Sequence, residues 1–106
     1  MMSIFKGLFS KDDSALKAVL TQEKPILIDV RSPLEFSGGT VKGAKNIPLN
    51  ELGNKLNVLD KSKAIVVFCQ SGNRSGQALQ ILQSNGFQKV YNGGGWHALK
   101  IGRAHV

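Results

Sequence analysis

The feature that most constrains this sequence is an uninterrupted apolar run, Ala-Ile-Val-Val-Phe-Cys, at residues 64–69. A strand without alternating polar residues is typical of a parallel sheet that is covered on both faces. The run is far shorter than the ~20 residues that a membrane-spanning helix needs. We therefore expect a globular chain with a buried central strand and no membrane span.

Helix-like and strand-like segments alternate before this run. The first helical pattern has an apolar face and follows three cap candidates, Asp12, Asp13 and Ser14; the face consists of Ala15, Leu16, Ala18, Val19 and Leu20. A second, short helix is predicted from Pro33 toward Ser37, and Gly38-Gly39 ends it. A third helix is predicted through Leu49, Leu52, Leu56 and Leu59, and Gly53 weakens it. Ile26-Leu27-Ile28-Asp29-Val30 is predicted to be a strand.

The same alternation continues after the run. Apolar residues at helical spacing predict a helix from Ser75 to Asn85, and Lys89-Val90-Tyr91 is a short strand candidate. Gly93-Gly94-Gly95 is interpreted as a turn into a closing helix that starts near Trp96, with Trp96 as a core anchor. Strands that alternate with helices predict a small α/β domain with a mainly parallel sheet flanked by helices.

Length and composition support one domain over residues 1–106. Residues 1–10 are not predicted to be a signal peptide, since this segment lacks the long apolar stretch and the cleavage site. They are expected to form a frayed or core-covering first turn. A single cysteine excludes an internal disulfide framework. We accordingly expect a cytoplasmic protein.

The net charge of +7 suggests an anionic substrate or partner. The basic residues are scattered, and no aromatic residues are interleaved with them as single-stranded nucleic acid binding requires. Steering of a small anion is therefore favoured over nucleic acid binding. His97 and His105 lack further residues at metal-ligand spacing, so neither a metal nor a cofactor is predicted.

Cys69 is the candidate nucleophile because it stands where the buried strand ends and a glycine-containing turn enters the next helix. Ligands of open α/β sheets bind beyond the carboxyl ends of strands. A helix N-terminus offers unpaired N–H groups and a partial positive charge, and Arg74 adds a full charge. Such surroundings lower a cysteine pKa from about 8.5 to roughly 3.5–7.5. The alternative is that Cys69 is simply a small buried hydrophobe, as free cysteines usually are.

Four segments resemble the rhodanese family, in family order and spacing, between Ile26 and Trp96. They are Cys69-Gln70-Ser71-Gly72-Asn73-Arg74-Ser75, Ile28 to Phe36 with its Asp-x-Arg, Gly43-Ala44-Lys45-Asn46-Ile47-Pro48, and Val90 to Trp96. The chain departs from the family at Thr40, where histidine is common. The loop side chains of Gln70, Ser71 and Asn73 are also uncharged, which leaves the sulfur donor open.

The resemblance implies a rhodanese-like fold and a sulfurtransferase that acts through a Cys69 persulfide. A small anionic donor such as thiosulfate would give its outer sulfur to Cys69, and a thiol, a protein or cyanide would accept it. Cys69 and Arg74 would be catalytic, as nucleophile and anion anchor. Substrate would be cradled by Gln70, Ser71, Gly72, Asn73 and Ser75, and an ion-paired brace would be formed by Asp29, Arg31 and Glu35.

Two other functions remain open at this point. Related cysteine phosphatase and arsenate reductase loops place one residue more between cysteine and arginine than the four found here. The rhodanese fold also serves as a non-catalytic or sulfur-carrier interaction module, although such copies commonly lack the cysteine.

Overall fold

The apolar run forms a central strand of a four-stranded parallel sheet, whose strands lie in the order Lys45–Asn46, Ile26–Asp29, Ile65–Cys69, Val90–Gly95. A computed structural model describes residues 14–104 of the chain, and side chains through residue 100. The elements in chain order are α1 (residues 14–22, as far as described), β1 (Ile26–Asp29), α2 (Pro33–Ser37), β2 (Lys45–Asn46), α3 (Leu49–Leu52), a 3-10 helix (Leu56–Val58), β3 (Ile65–Cys69), α4 (Asn73–Ser84), β4 (Val90–Gly95) and α5 (Trp96–Ala104). The predicted α/β class with a parallel sheet is confirmed.

Strand β3 is covered on both faces, as its continuous apolar sequence predicts. Ile65, Val67 and Cys69 pack into a cluster with residues of α3 and α4, whereas Val66 and Phe68 pack with residues of α1 and α5. All five side chains are buried. This two-sided burial fixes the strand, and its carboxyl end places Cys69 at the edge where ligands bind in α/β sheets.

Three boundaries differ from the sequence prediction. The helix predicted through Leu49, Leu52, Leu56 and Leu59 is interrupted after α3, because Gly53 ends it and a separate 3-10 helix follows. Helix α4 begins two residues earlier than predicted, at Asn73. Gly93-Gly94-Gly95 belong to β4 rather than to a turn, since a one-residue bulge at Gly93 lets Gly94 and Gly95 keep pairing with β3.

The two-residue strand β2 was not predicted, since two residues are too short for a periodic pattern. It pairs with β1 through Ile28 and Asp29. The predictions for residues 1–10, for the caps Asp12 and Asp13, and for His105 lie outside the described residues. Among residues 14–104, no helix is long and apolar enough to cross a membrane.

Candidate functional site

Cys69 is the last residue of β3, and the loop after it turns directly into the N-terminus of α4. The residue is only 1% exposed, so its sulfur lies beneath the loop rather than on the surface. Gly72 occupies the N-cap position of α4 and has no side chain to accept a hydrogen bond from the helix. The Cys69 sulfur takes over that function.

Backbone N–H groups converge on this sulfur. Gly72 N–H donates to Cys69 Sγ over 2.9 Å, and Ser75 N–H donates over 3.4 Å. The Ser75 hydroxyl lies 3.4 Å from the same sulfur. Burial raises the pKa of the thiol, but hydrogen bonds from the Ser75 hydroxyl and from the N–H groups of residues 75, 72 and 71 outweigh it, so the pKa of Cys69 is lowered overall. The site therefore favours the thiolate.

Two glycines allow the conformation of the loop that follows Cys69. Gly72 has a φ of 102°, in the left-handed region that side chains rarely adopt. Gly95 of β4 lies under the loop, where an added Cβ would stand 2.8 Å from the Gln70 carbonyl oxygen. The loop can therefore pack directly on the strand only because residue 95 has no side chain.

Ser75 links the sulfur to β4. Its hydroxyl, in a fully buried residue, donates to Asn92 Oδ1 over 2.7 Å and also lies 3.1 Å from the Gly72 carbonyl oxygen. Asn92 Oδ1 accepts a second hydrogen bond from Gly94 N–H at 2.8 Å. Sequence reasoning missed Asn92, although a polar residue at the carboxyl end of a strand predicted parallel to β3 is a signal that could have found it.

Arg74 points to Glu35 of α2. The two guanidinium nitrogens donate to the two carboxylate oxygens at 2.7 and 3.0 Å. The Arg74 hydrogen bond is the largest cause that lowers the pKa of Glu35 from 4.5 to about 2. The Glu35 hydrogen bond likewise raises the pKa of Arg74, and the Cys69 charge contributes in the same direction. Glu35 thus holds the Arg74 guanidinium in place, at a position where it interacts with the charge of Cys69.

The predicted brace divides into two ion pairs. Asp29 and Arg31 form a buried pair, with Arg31 Nη2 2.7 Å from Asp29 Oδ2. The Asp29 carboxylate also accepts from the Thr40 hydroxyl at 2.8 Å. Glu35 does not join this pair, because the Ser32 capping box of α2 fixes its carboxylate beside Arg74. The structure therefore brings Asp29 and Arg31 together and places Glu35 beside Arg74 in the first turn of α4.

Trp96 contacts the loop that follows Cys69. Its indole N–H donates to Gln70 Oε1 at 3.3 Å, and the Arg31 guanidinium carbon lies 4.7 Å from the centre of its rings. Gly39 packs against the edge of the same rings. The remaining loop residues, Ser71 and Asn73, are exposed, as is His97. Trp96 is thus half-buried between the brace and the loop rather than fully in the core.

A groove of about 490 Å³ lies beside the site. Its lining consists of Val30, Ser32, Pro33, Pro48, Leu49, Asn50, Glu51 and Arg74. Arg74 is shared between the groove and the loop, whereas Cys69 does not line the groove. Among residues 14–104, no group of three or more His, Cys, Asp or Glu side chains could hold a metal ion.

Comparison with known proteins decides the family. A family model described as the rhodanese-like domain matches residues 12–101. The chain belongs to the rhodanese-like domain family. This rhodanese-like chain is also similar in structure to a protein described as rhodanese with anions from E. coli, with a TM-score of 0.65, 40% identity, and coverage of 69% of this chain and 88% of that one.

Sulfurtransferases are among its sequence relatives. This rhodanese-like chain is 43% identical over 70 residues to thiosulfate sulfurtransferase PspE of Escherichia coli (strain K12), covering 64% of this chain and 67% of PspE. It is 46% identical over 69 residues to the uncharacterized protein YqhL of Bacillus subtilis (strain 168), covering 65% of this chain. The match spans 55% of YqhL, about half of that relative's length.

Proposed function

We propose that this protein is a sulfurtransferase that carries sulfane sulfur as a persulfide on Cys69. The observation that supports this most directly is the convergence of the Gly72 and Ser75 N–H groups on Cys69 Sγ, at 2.9 and 3.4 Å. Donors aimed at a fixed anion stabilise it without reorganisation. A buried cysteine with only a packing role has no need of such an arrangement.

The first step of the proposed reaction loads the sulfur. The Cys69 thiolate attacks the outer sulfur of thiosulfate and forms an S–S bond, and the S–S bond of the donor breaks with its electron pair leaving on sulfite. The product is a Cys69 persulfide whose terminal sulfur carries the negative charge. In the second step, cyanide attacks this terminal sulfur, which leaves as thiocyanate and regenerates the Cys69 thiolate. A thiol acceptor would react in the same way and transfer its proton to the site.

The first turn of α4 supplies the cradle for the terminal sulfur. The first N–H groups of a helix have no partner within the helix, and they carry its positive dipole end. We therefore assign the backbone of residues 70 to 75 to hold the persulfide anion, with Gln70, Ser71, Gly72 and Asn73 as the walls. The side chains of this loop are uncharged, so they do not select one anionic donor over another by charge.

Arg74 is proposed to place positive charge at the rim of this cradle. Because Glu35 occupies both of its terminal nitrogens, it would act as a fixed charge rather than as a mobile clamp. Asp29 and Arg31 are assigned a supporting role, since their buried pair fixes the end of β1 and the ring of Trp96. Neither step needs a cofactor.

Intact mass spectrometry tests the proposal. After incubation with thiosulfate or another sulfane donor, the protein should gain one sulfur atom, about 32 Da. Cys69→Ser protein should gain none, because it lacks the nucleophile. The gain should be reversed by cyanide, with thiocyanate formed in equal amount.

The same preparation separates the other candidate functions. A mass that stays unchanged with every sulfane donor would contradict the proposal and favour a binding module. Turnover of p-nitrophenyl phosphate without sulfur transfer would instead indicate a phosphatase. A persulfide that forms but passes to no small acceptor would indicate a sulfur carrier whose acceptor is another protein.

A further inference from the structure

The Ser75 hydroxyl has more acceptors than protons. Two neighbouring atoms can only accept a hydrogen bond: Asn92 Oδ1 at 2.7 Å and the Gly72 carbonyl oxygen at 3.1 Å. The third neighbour is Cys69 Sγ at 3.4 Å, which donates as a thiol and accepts as a thiolate. A single proton cannot serve all three, so its position must depend on the state of the sulfur.

The orientation of the Asn92 amide is fixed by the backbone. Gly94 N–H donates to the same Asn92 atom at 2.8 Å, and only the oxygen of the amide can accept it. An oxygen that approaches the Ser75 hydroxyl to 2.7 Å requires the hydroxyl proton between them. While the sulfur is an uncharged thiol, the proton therefore points to Asn92, and the Ser75 oxygen presents lone pairs to the sulfur.

Ionisation of the sulfur reverses this preference. A hydrogen bond to a charged acceptor is roughly twice as strong as one to a neutral acceptor. The Ser75 proton therefore turns toward the thiolate, and Asn92 Oδ1 keeps its hydrogen bond from Gly94. When the persulfide forms, the charge moves to the terminal sulfur, and the proton returns to Asn92.

We propose that Asn92 is a positioning residue that draws the Ser75 hydroxyl proton away from Cys69 whenever the Cys69 sulfur is uncharged. The inference deepens the proposed function and rests on it, since it states how the site adjusts when the charge moves on and off Sγ. Asn92 is suited to this because the bulge of β4, where Val67 pairs with residue 92 and Phe68 with residue 94, keeps its side chain beside α4.

Charged groups also surround this end of the sheet from each neighbouring element. They are Arg74 of α4, Glu35 of α2, Asp29 and Arg31 at the end of β1, and Lys100 of α5 above Trp96. Substitution of Asn92 by alanine alters none of these charges. A change in Cys69 ionisation in that variant therefore reports on hydrogen bonding.

The experiment is a titration of the Cys69 thiolate by its ultraviolet absorbance, which requires no access of a reagent to the buried sulfur. Asn92→Ala frees the Ser75 proton, so at a pH below the midpoint the ionised fraction should rise about fivefold, the equivalent of one neutral hydrogen bond. Ser75→Ala should lower the ionised fraction. In the Ser75→Ala background, Asn92→Ala should have no further effect.

One control variant and the direction of the effect guard against a merely structural explanation. Asn54→Ala, an exposed asparagine away from the site, should change nothing. General loosening of the loop by Asn92→Ala would lower the ionised fraction, which is the opposite of the expected result.

An unchanged or lowered ionised fraction in Asn92→Ala would overturn the inference, as would a rise of equal size in the Ser75→Ala background. These titrations need no sulfur donor, so their outcome is separate from that of the proposed function. If the wild type gains sulfur in the mass experiment but wild type and Asn92→Ala titrate alike, only the inference that Asn92 positions the Ser75 proton is refuted. A protein that titrates as expected but takes up no sulfur refutes only the proposed function.

Discussion

The pair between Glu35 and Arg74 yields a prediction about acid stability. Glu35→Gln retains an oxygen for the Ser32 cap of α2 but places an amide N–H₂ group against the Arg74 guanidinium. The pKa of Glu35 is lowered from 4.5 to about 2 in the folded protein, first by the Arg74 hydrogen bond. The difference corresponds to about 3 kcal/mol at most. Because the carboxylate is 34% exposed, solvent screening reduces this, and we expect about 1 kcal/mol.

The sign of the pH dependence follows from the lowered pKa. The ionised carboxylate stabilises the folded state fully above pH 4.5, and this contribution is lost as the pH falls toward about 2. Glu35→Gln should therefore be less stable than the wild type at neutral pH, and the two should converge in acid. Urea unfolding of both proteins between about pH 7 and about pH 3 measures the difference.

Glu51→Gln is the matched control, because Glu51 pairs with Lys55 on the surface, with both side chains more than 40% exposed. It should change the free energy of unfolding by only a few tenths of a kcal/mol. The account of the ion pair between Glu35 and Arg74 would be refuted if wild type and Glu35→Gln had the same free energy of unfolding at neutral pH. It would also be refuted if the difference in that free energy stayed constant as the pH falls.

The remaining predictions concern the loop and its supports. Gly95→Ala should destabilise the protein by about 1–3 kcal/mol and slow sulfur loading, since its Cβ would meet the Gln70 carbonyl oxygen at 2.8 Å. The control Gly53→Ala should do neither, because its Cβ would meet no atom within 4 Å. Equal losses of stability for the two variants in urea unfolding would refute the close approach of Gly95 to Gln70. Trp96→Phe removes the hydrogen bond to Gln70 and should lower stability by about 1 kcal/mol or less. Trp96→Leu should be more damaging in the same assay, because it also removes the contact with Arg31, and equal losses would contradict that role for the ring.

The sequence predicted those parts of the fold that depend on local pattern. The two-sided burial of β3 follows from its unbroken apolar run, and the buried positions of Ala78 and Leu82 follow from helical spacing in α4. The ends of the helices and strands were harder to predict from the sequence. The path of β4 depends on a bulge at Gly93 that lets Gly94 and Gly95 remain paired with β3, and no local pattern distinguishes this from a turn.

The sequence predicted which loop residues lie around Cys69, but it did not predict which distant side chains contact them. Cys69, Gly72 and Ser75 meet because strand, loop and helix are consecutive in the chain. The partner of Glu35 depends instead on how α2 packs against α4, a contact between residues 35 and 74, which lie far apart in sequence. Asn92 was missed for the same reason, since its role comes from the register of β4.

The pH dependence of the ultraviolet absorbance of the Cys69 thiolate tests the central claim that converging N–H groups favour an anionic sulfur. The absorbance should follow an apparent pKa below that of free cysteine, and Gly72→Ala, which strains the loop at a φ of 102°, should shift this pKa upward. A wild-type midpoint at or above that of free cysteine would mean that burial outweighs the hydrogen bonds, and the proposed sulfur transfer would then lack its nucleophile.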